Sequence, residues 1–111
     1  MAALTVQNIT LAASLTPTFA AAAAAGDYVA NTGKIFLYFK NANVGVARTV
    51  TIHSQVLCSQ GVEHDVTVTV PASSEEIIGF FDVNRFNDIN GRLQMTYSSE
   101  ADLTIAAISI S

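Results

Sequence analysis

The chain has 111 residues, of which half are apolar and only 13 % charged, and its formal net charge is −4. That length makes one domain, able to bury roughly 60 to 70 % of the surface its unfolded form exposes, so no disulfide or metal staple is required. The five basic residues, Lys34, Lys40, Arg48, Arg85 and Arg92, are scattered, which excludes the clustered positive charge that binding to a phosphate backbone needs.

In chain order, residues 3–8 alternate weakly between apolar and polar, and residues 15–19 read as extended because Leu15-Thr16 leads into Pro17. The N-terminus, Met1 to Asn8, has neither the charged nor the apolar region of a signal peptide. The uncharged stretch up to Gly26 is interrupted by Gln7, Asn8, Ser14, Thr16, Pro17 and Thr18, which makes a poor membrane-spanning helix. The expectation is a soluble protein with no membrane partner. Phe19 to Gly26 is an alanine run of high helix propensity ending in a glycine. Its brevity and its setting between strand-like segments argue the other way, so the sequence leaves this run open between a short helix and extended chain.

Lys34 to Lys40 is apolar on both faces, the mark of a central strand covered on each side. The loop Asn41 to Gly45 carries hairpin chemistry and leads into the alternating run Arg48 to Val56. Cys58 is the single cysteine, so no intrachain disulfide can form, in keeping with assembly in a reducing cytoplasm. Val66-Thr67-Val68-Thr69-Val70 alternates strictly, and Pro71 ends it because proline cannot donate to a ladder. With Ile77 to Phe81 it reads as two antiparallel strands joined by a polar turn. Asp82 to Asp88 predicts one short helical turn, and Asn90-Gly91 is a tight-turn signal. Arg92 to Tyr97 alternates again. Residues 102–110 form a last strand that is apolar on both faces, hence central or buried against a neighbour.

About seven or eight short strands with regular turns and no sustained helical period give an all-β fold, a single-domain β-sandwich or jelly-roll-like barrel over residues 1–111. Residues 1–18 can be read within it as an extended N-terminal arm.

Chemistry-bearing residues are few. His53, Glu63, His64 and Asp65 are the best acid–base or metal candidates, but in a strand Glu63 and Asp65 point one way and His64 the other. No nucleophile elbow occurs, Cys58 follows the apolar Val56-Leu57, and the Glu75-Glu76 pair flanks a turn. The expectation is no catalytic, cofactor-binding or metal site, and no enzyme. Phe36, Tyr38 and Phe39 are assigned to the core. Phe80, Phe81 and Phe86, with Asn87-Asp88, are placed at an edge loop, to anchor it or to enter a partner's pocket.

The opening Leu4-Thr5-Val6-Gln7, the stretch Leu15-Thr16-Pro17-Thr18 and the run Asn31 to Leu37 leading to Lys40-Asn41 carry a family resemblance. So do Thr67 to Ala72, Ile77 to Phe81, and Phe86-Asn87-Asp88 ahead of Gly91-Arg92-Leu93. Together they resemble the small head decoration, cement or minor capsid proteins of tailed bacteriophages. Asp82 to Arg85 departs from them, since such proteins are more often proline-rich there. The resemblance implies a structural virion protein on the outer capsid surface, assembled in the host cytoplasm. Its partners would be the major capsid protein and further copies of itself, with a trimer favoured for the avidity of engaging three subunits. The interface residues expected from the charge-poor ends and the edge loop are Leu4, Val6, Leu15, Pro17, Phe81, Phe86, Ile108 and Ile110. A head–tail connector or tail subunit is the alternative within the virion, and a carbohydrate-binding module the alternative of another class.

Overall fold

Strict alternation in the central and C-terminal segments builds two β-sheets whose apolar faces meet. The computed structural model describes residues 2–9, 17–55 and 65–110. In chain order these residues hold β1 (Ala2–Ala3), β2 (Val6–Ile9), β3 (Ala20–Ala21), β4 (Asp27–Ala30), β5 (Ile35–Asn41), β6 (Arg48–Ile52), β7 (Val66–Val70) and β8 (Glu75–Gly79). The single-turn helix α1 (Val83–Phe86), β9 (Arg92–Tyr97) and β10 (Leu103–Ile110) follow. The first sheet runs β1-β4-β9-β6-β7 and the second β2-β10-β5-β8, with β3 also pairing β10. The fold is thus an all-β sandwich.

Between the sheets lie Ile35, Leu37 and Phe39 of β5, Val50 and Ile52 of β6, Leu93 and Met95 of β9, and Leu103 and Ile105 of β10, all fully buried. Each such side chain contributes about 1.5–3 kcal/mol on leaving water. β10 is central in its sheet, as its two apolar faces predicted. β1 and β2 pair in parallel with β4 and β10 respectively, so residues 2–9 are strands hydrogen-bonded into both sheets.

Two expected hairpins are absent. β5 and β6 belong to different sheets, and so do β7 and β8. The loops after β5 and after β7 are therefore arches that carry the chain across the sandwich. One buried side chain serves both: Asn41 Nδ2 donates to the carbonyls of Val46 (2.9 Å), Val70 (3.2 Å) and Pro71 (3.3 Å), while its Oδ1 accepts from the Asn43 N–H (3.0 Å). Ser73 sits at φ 55 and donates its N–H to the Asn43 carbonyl, locking the arches together. Turn chemistry marks a reversal of the chain, not whether it stays in its sheet. The buried asparagine decides that.

The alanine run is not helical. β3 occupies Ala20–Ala21, the Ala22 N–H bonds the Leu103 carbonyl, and a turn closes from the Gly26 N–H to the Ala23 carbonyl with Gly26 at φ 95. An eight-residue stretch gains more from a sheet edge, where Ala22 reaches the core, than from an isolated helix. β4, which the sequence did not disclose, follows at once: it is short, and its inward Asp27 masks the alternation. Tyr97 donates to Asp27 Oδ2 at 2.6 Å and Ala23 N–H at 3.2 Å, so the carboxylate is tolerated inside. α1 forms where a helical turn was expected, with the Asp82 side chain accepting the Asn84 N–H at its N-terminus.

Two substitutions and a control test the framework. Asn41→Ala leaves three carbonyls and one N–H without their partner and is expected to lower unfolding free energy by about 1–3 kcal/mol in urea denaturation. Gly79→Ala would place a Cβ 2.6 Å from Phe36 Cβ and 2.9 Å from its Cα, an overlap expected to cost about 1–3 kcal/mol. Gly45→Ala, whose nearest neighbour is an Asn43 side-chain oxygen at 3.9 Å, should stay within about 0.5 kcal/mol of the parent.

Candidate functional site

The two outward faces differ in chemistry. On the first sheet, Thr49 and Thr51 of β6 stand opposite Thr69 and Thr67 of β7, and Thr96 of β9 lies across from Thr51. Small hydroxyls cover the β6–β7 half of this face, while its other half carries Gln94 and Arg92 of β9 and Tyr28 of β4, with the Arg92 guanidinium 4.6 Å from the Tyr28 ring centroid. On the second sheet, the outward residues of β5 are Phe36, Tyr38 and Lys40, all half-buried, and the register sets Ile77 of β8 beside Tyr38 and Gly79 beside Phe36. Phe80 continues the strip and packs edge-on against Phe36 with centroids 6.3 Å apart; Phe19 packs edge-on against Tyr38 at 5.1 Å. Ile77 is 62 % and Phe80 57 % exposed. The strip is apolar and open to water.

Its polar border is at one end. Tyr38 donates to Glu75 Oε1 at 2.6 Å, Lys40 Nζ lies 3.6 Å from the same oxygen, and that ammonium sits 4.2 Å from the Phe19 ring centroid. The hydrogen bond to Glu75 raises the Tyr38 pKa above its ordinary value, so the phenol stays a donor. The exposed ion pair itself adds little stability.

Phe36 and Tyr38, expected in the core, lie on this outer strip; Phe39 alone of the three is buried. Of the expected interface residues, Leu4 and Val6 are half-buried and pack against the core from the N-terminal strands. Pro17 is half-buried beside Thr18, which exchanges two hydrogen bonds with the Gln7 side chain. Phe81 (4 % exposed) and Phe86 (6 %) are core, packed edge-on at 5.7 Å, and Ile108 is 2 % exposed. These three anchor the fold and have no surface to offer. Ile110 is placed by its pairing with Ile9, and Leu15 lies outside the described residues. Leu4, Phe19, Ile105 and Ala107 line a cleft of about 400 Å³ at the seam where β3 and then β2 flank β10.

Among the chemistry-bearing candidates, His53 and Asp65 come together. His53 Nδ1 is 3.3 Å from Asp65 Oδ2, its Nε2 is 3.0 Å from Thr96 Oγ1, and Asp65 Oδ1 accepts the Ser54 N–H. The order acid, imidazole, hydroxyl is that of a nucleophilic relay, and Thr96 stands mid-strand on β9 opposite Thr51. What the contacts do directly is fasten the chain leaving β6 to the start of β7 and to β9. Glu63, His64 and Cys58 lie outside the described residues. Among the described residues no group of three or more His, Cys, Asp or Glu converges on a metal-sized space, and no helix is long and apolar enough to cross a membrane.

No family model, curated protein or solved structure matches the chain.

One turn carries a carboxyl shifted by its hydrogen bonds. Asp88 accepts from Gln94 Nε2 (2.7 Å) and from the N–H groups of Asn90 (2.8 Å) and Arg92 (3.0 Å). Chiefly through Gln94, these bonds hold its carboxyl below the ordinary value of 3.8. A lowered carboxyl stabilises the fold above its unfolded pKa, and the contribution is lost as pH falls through the folded one. Amide exchange at Asn90 and Arg92 is expected to accelerate, after correction for intrinsic rates, as pH drops from about 4 towards 2, and Asp88→Asn should abolish the dependence. Protection that stays constant to about pH 2 would contradict this.

Proposed function

We propose that the protein is a structural virion component that decorates the outer surface of a tailed-phage head and bridges neighbouring major capsid proteins. The observation that carries the reading is the outward strip of the second sheet, where Phe36, Tyr38, Ile77 and Phe80 face water on a chain with 13 % charged residues. Exposed apolar surface of this kind marks contact with another macromolecule. The family likeness in the turn and strand segments supplies the identity of that partner. The strip takes the role that sequence reasoning gave to Phe81 and Phe86, whose side chains are spent on the core, and to Ile108, which is buried on the outer face of β10 beside Phe36. Leu4 and Val6, half-buried at the opposite sheet edge, remain as a second contact.

Each copy needs only modest affinity, because a trimer that engages three subunits gains avidity through effective concentration. A native mass of three chains fits a protein seated at three-fold positions, whereas a ring of six or twelve would indicate a head–tail connector. The aromatic strip also favours a second reading, a carbohydrate-binding module in which sugars stack on Tyr38 and Phe19. Lys40 already occupies a face of Phe19, which leaves less ring surface for stacking and ranks this reading second.

The test is binding to expanded, undecorated heads of the phage that encodes the chain. Ile77→Asp with Phe80→Asp is expected to raise the concentration for half-occupancy at least tenfold, about 1.4 kcal/mol, with the thermal transition retained. Equal occupancy by parent and variant would exclude the strip, and failure of the parent to bind while it saturates on a glycan array would move the assignment to the binding module.

A further inference from the structure

β7 is the terminal strand of the first sheet, and among the described residues no strand lies beyond it. Its sequence, Val66-Thr67-Val68-Thr69-Val70, reads the same in both directions. An antiparallel neighbour related by a two-fold axis normal to the sheet must place one residue opposite itself, because facing residues share a side of the pleat. With Val68 on the axis, all five residues pair: Val66 meets Val70, Thr67 meets Thr69, and every pair is β-branched on β-branched. Such cross-strand pairs stabilise a sheet. The flanking charge fits too, since Asp65 of one copy falls opposite Pro71 of the other and no like charges meet.

Edge strands are usually guarded by charge, and the terminal strand of the other sheet is: β8 begins Glu75-Glu76. β7 has no charged residue, and Thr67 and Thr69 are exposed. Continuous five-residue pairing without a penalty is available to a second copy of this chain. The palindrome makes a second copy a partner that meets this register at every position.

We infer that two copies of this chain join through β7, antiparallel and in register about Val68, making one ten-stranded sheet from the two five-stranded ones. A contact of this length is smaller than the roughly 800 Å² per partner of a standard interface. It is therefore weak in dilute solution and strengthened wherever copies are held side by side. This inference does not depend on the capsid reading, and the two-fold contact is separate from any three-fold one.

Sedimentation velocity over a concentration series tests it with two double variants whose substitutions lie on exposed positions. The parent is expected to associate with rising concentration by the joining of two units. Thr67→Lys with Thr69→Lys puts lysine opposite lysine twice and should raise the half-association concentration at least tenfold. Thr67→Lys with Thr69→Glu puts lysine opposite glutamate twice and should restore association to the parent level or beyond. Circular dichroism and the thermal transition establish that both variants fold. Absence of association by the parent up to about 1 mM, or identical association by the parent and both variants, would overturn the inference.

Discussion

The side chain of Asn41 is the constraint on which the architecture depends. Strand-forming patterns before and after it would be satisfied equally well by a hairpin, which keeps both strands in one sheet. By holding the carbonyls of Val46, Val70 and Pro71 together, Asn41 fixes two crossings from sheet to sheet at one point of the sandwich. Asn43 extends the tie through its carbonyl to the Ser73 N–H and through its side chain to Asp102, so the turn entering β10 belongs to the same knot. A buried amide with every polar group paired is specific where an apolar side chain of the same size would be indifferent. At the far end Asn31 acts similarly, donating to the Phe81 carbonyl and to Asn87 while accepting from Gly33.

How much of this was legible follows from the kind of signal each element carries. β9 and β10 and the helical turn at Val83–Phe86 were readable, because two-residue alternation and a capping Asp82 are local properties. Sheet membership was not: whether Asn41 bonds its own loop or a strand thirty residues on depends on the closed fold. β4 was hidden because its inward Asp27 looks like a surface residue until Tyr97 is placed beside it. Phe36 and Tyr38 were assigned to the core because apolar residues on both faces of a strand imply two covers, and on the outer side the cover is incomplete. That error is informative. Where the pattern overstated burial, at Phe36 and Tyr38, apolar surface stays open beside Ile77 and Phe80, as it also does in the loops at Val44, Val46 and Ile89.

The asymmetry of the two outer faces gives the protein its character. On the first sheet threonines face one another across β6 and β7, and Arg92 stacks on Tyr28 towards the other edge. The second sheet presents Ile77 and Phe80 with Phe36 between them, bordered by the Glu75 and Lys40 pair. In a domain with only 13 % charged residues, the exposed apolar side chains of the second sheet are thus bordered by an ion pair. The His53, Asp65 and Thr96 contacts, which resemble a relay in their order, serve instead to hold the start of an edge strand in register.

We propose this strip as the surface through which the protein adheres to its partner. Hydroxyl-radical footprinting of the free protein and of the protein bound to expanded heads measures it directly, since aromatic and branched side chains report their own exposure. The account predicts that Phe80, Ile77, Phe36 and Tyr38 lose reactivity on binding while Tyr28, on the first sheet, keeps it. Unchanged reactivity along the strip, with protection confined to the first sheet or to the N-terminal strands, would contradict it.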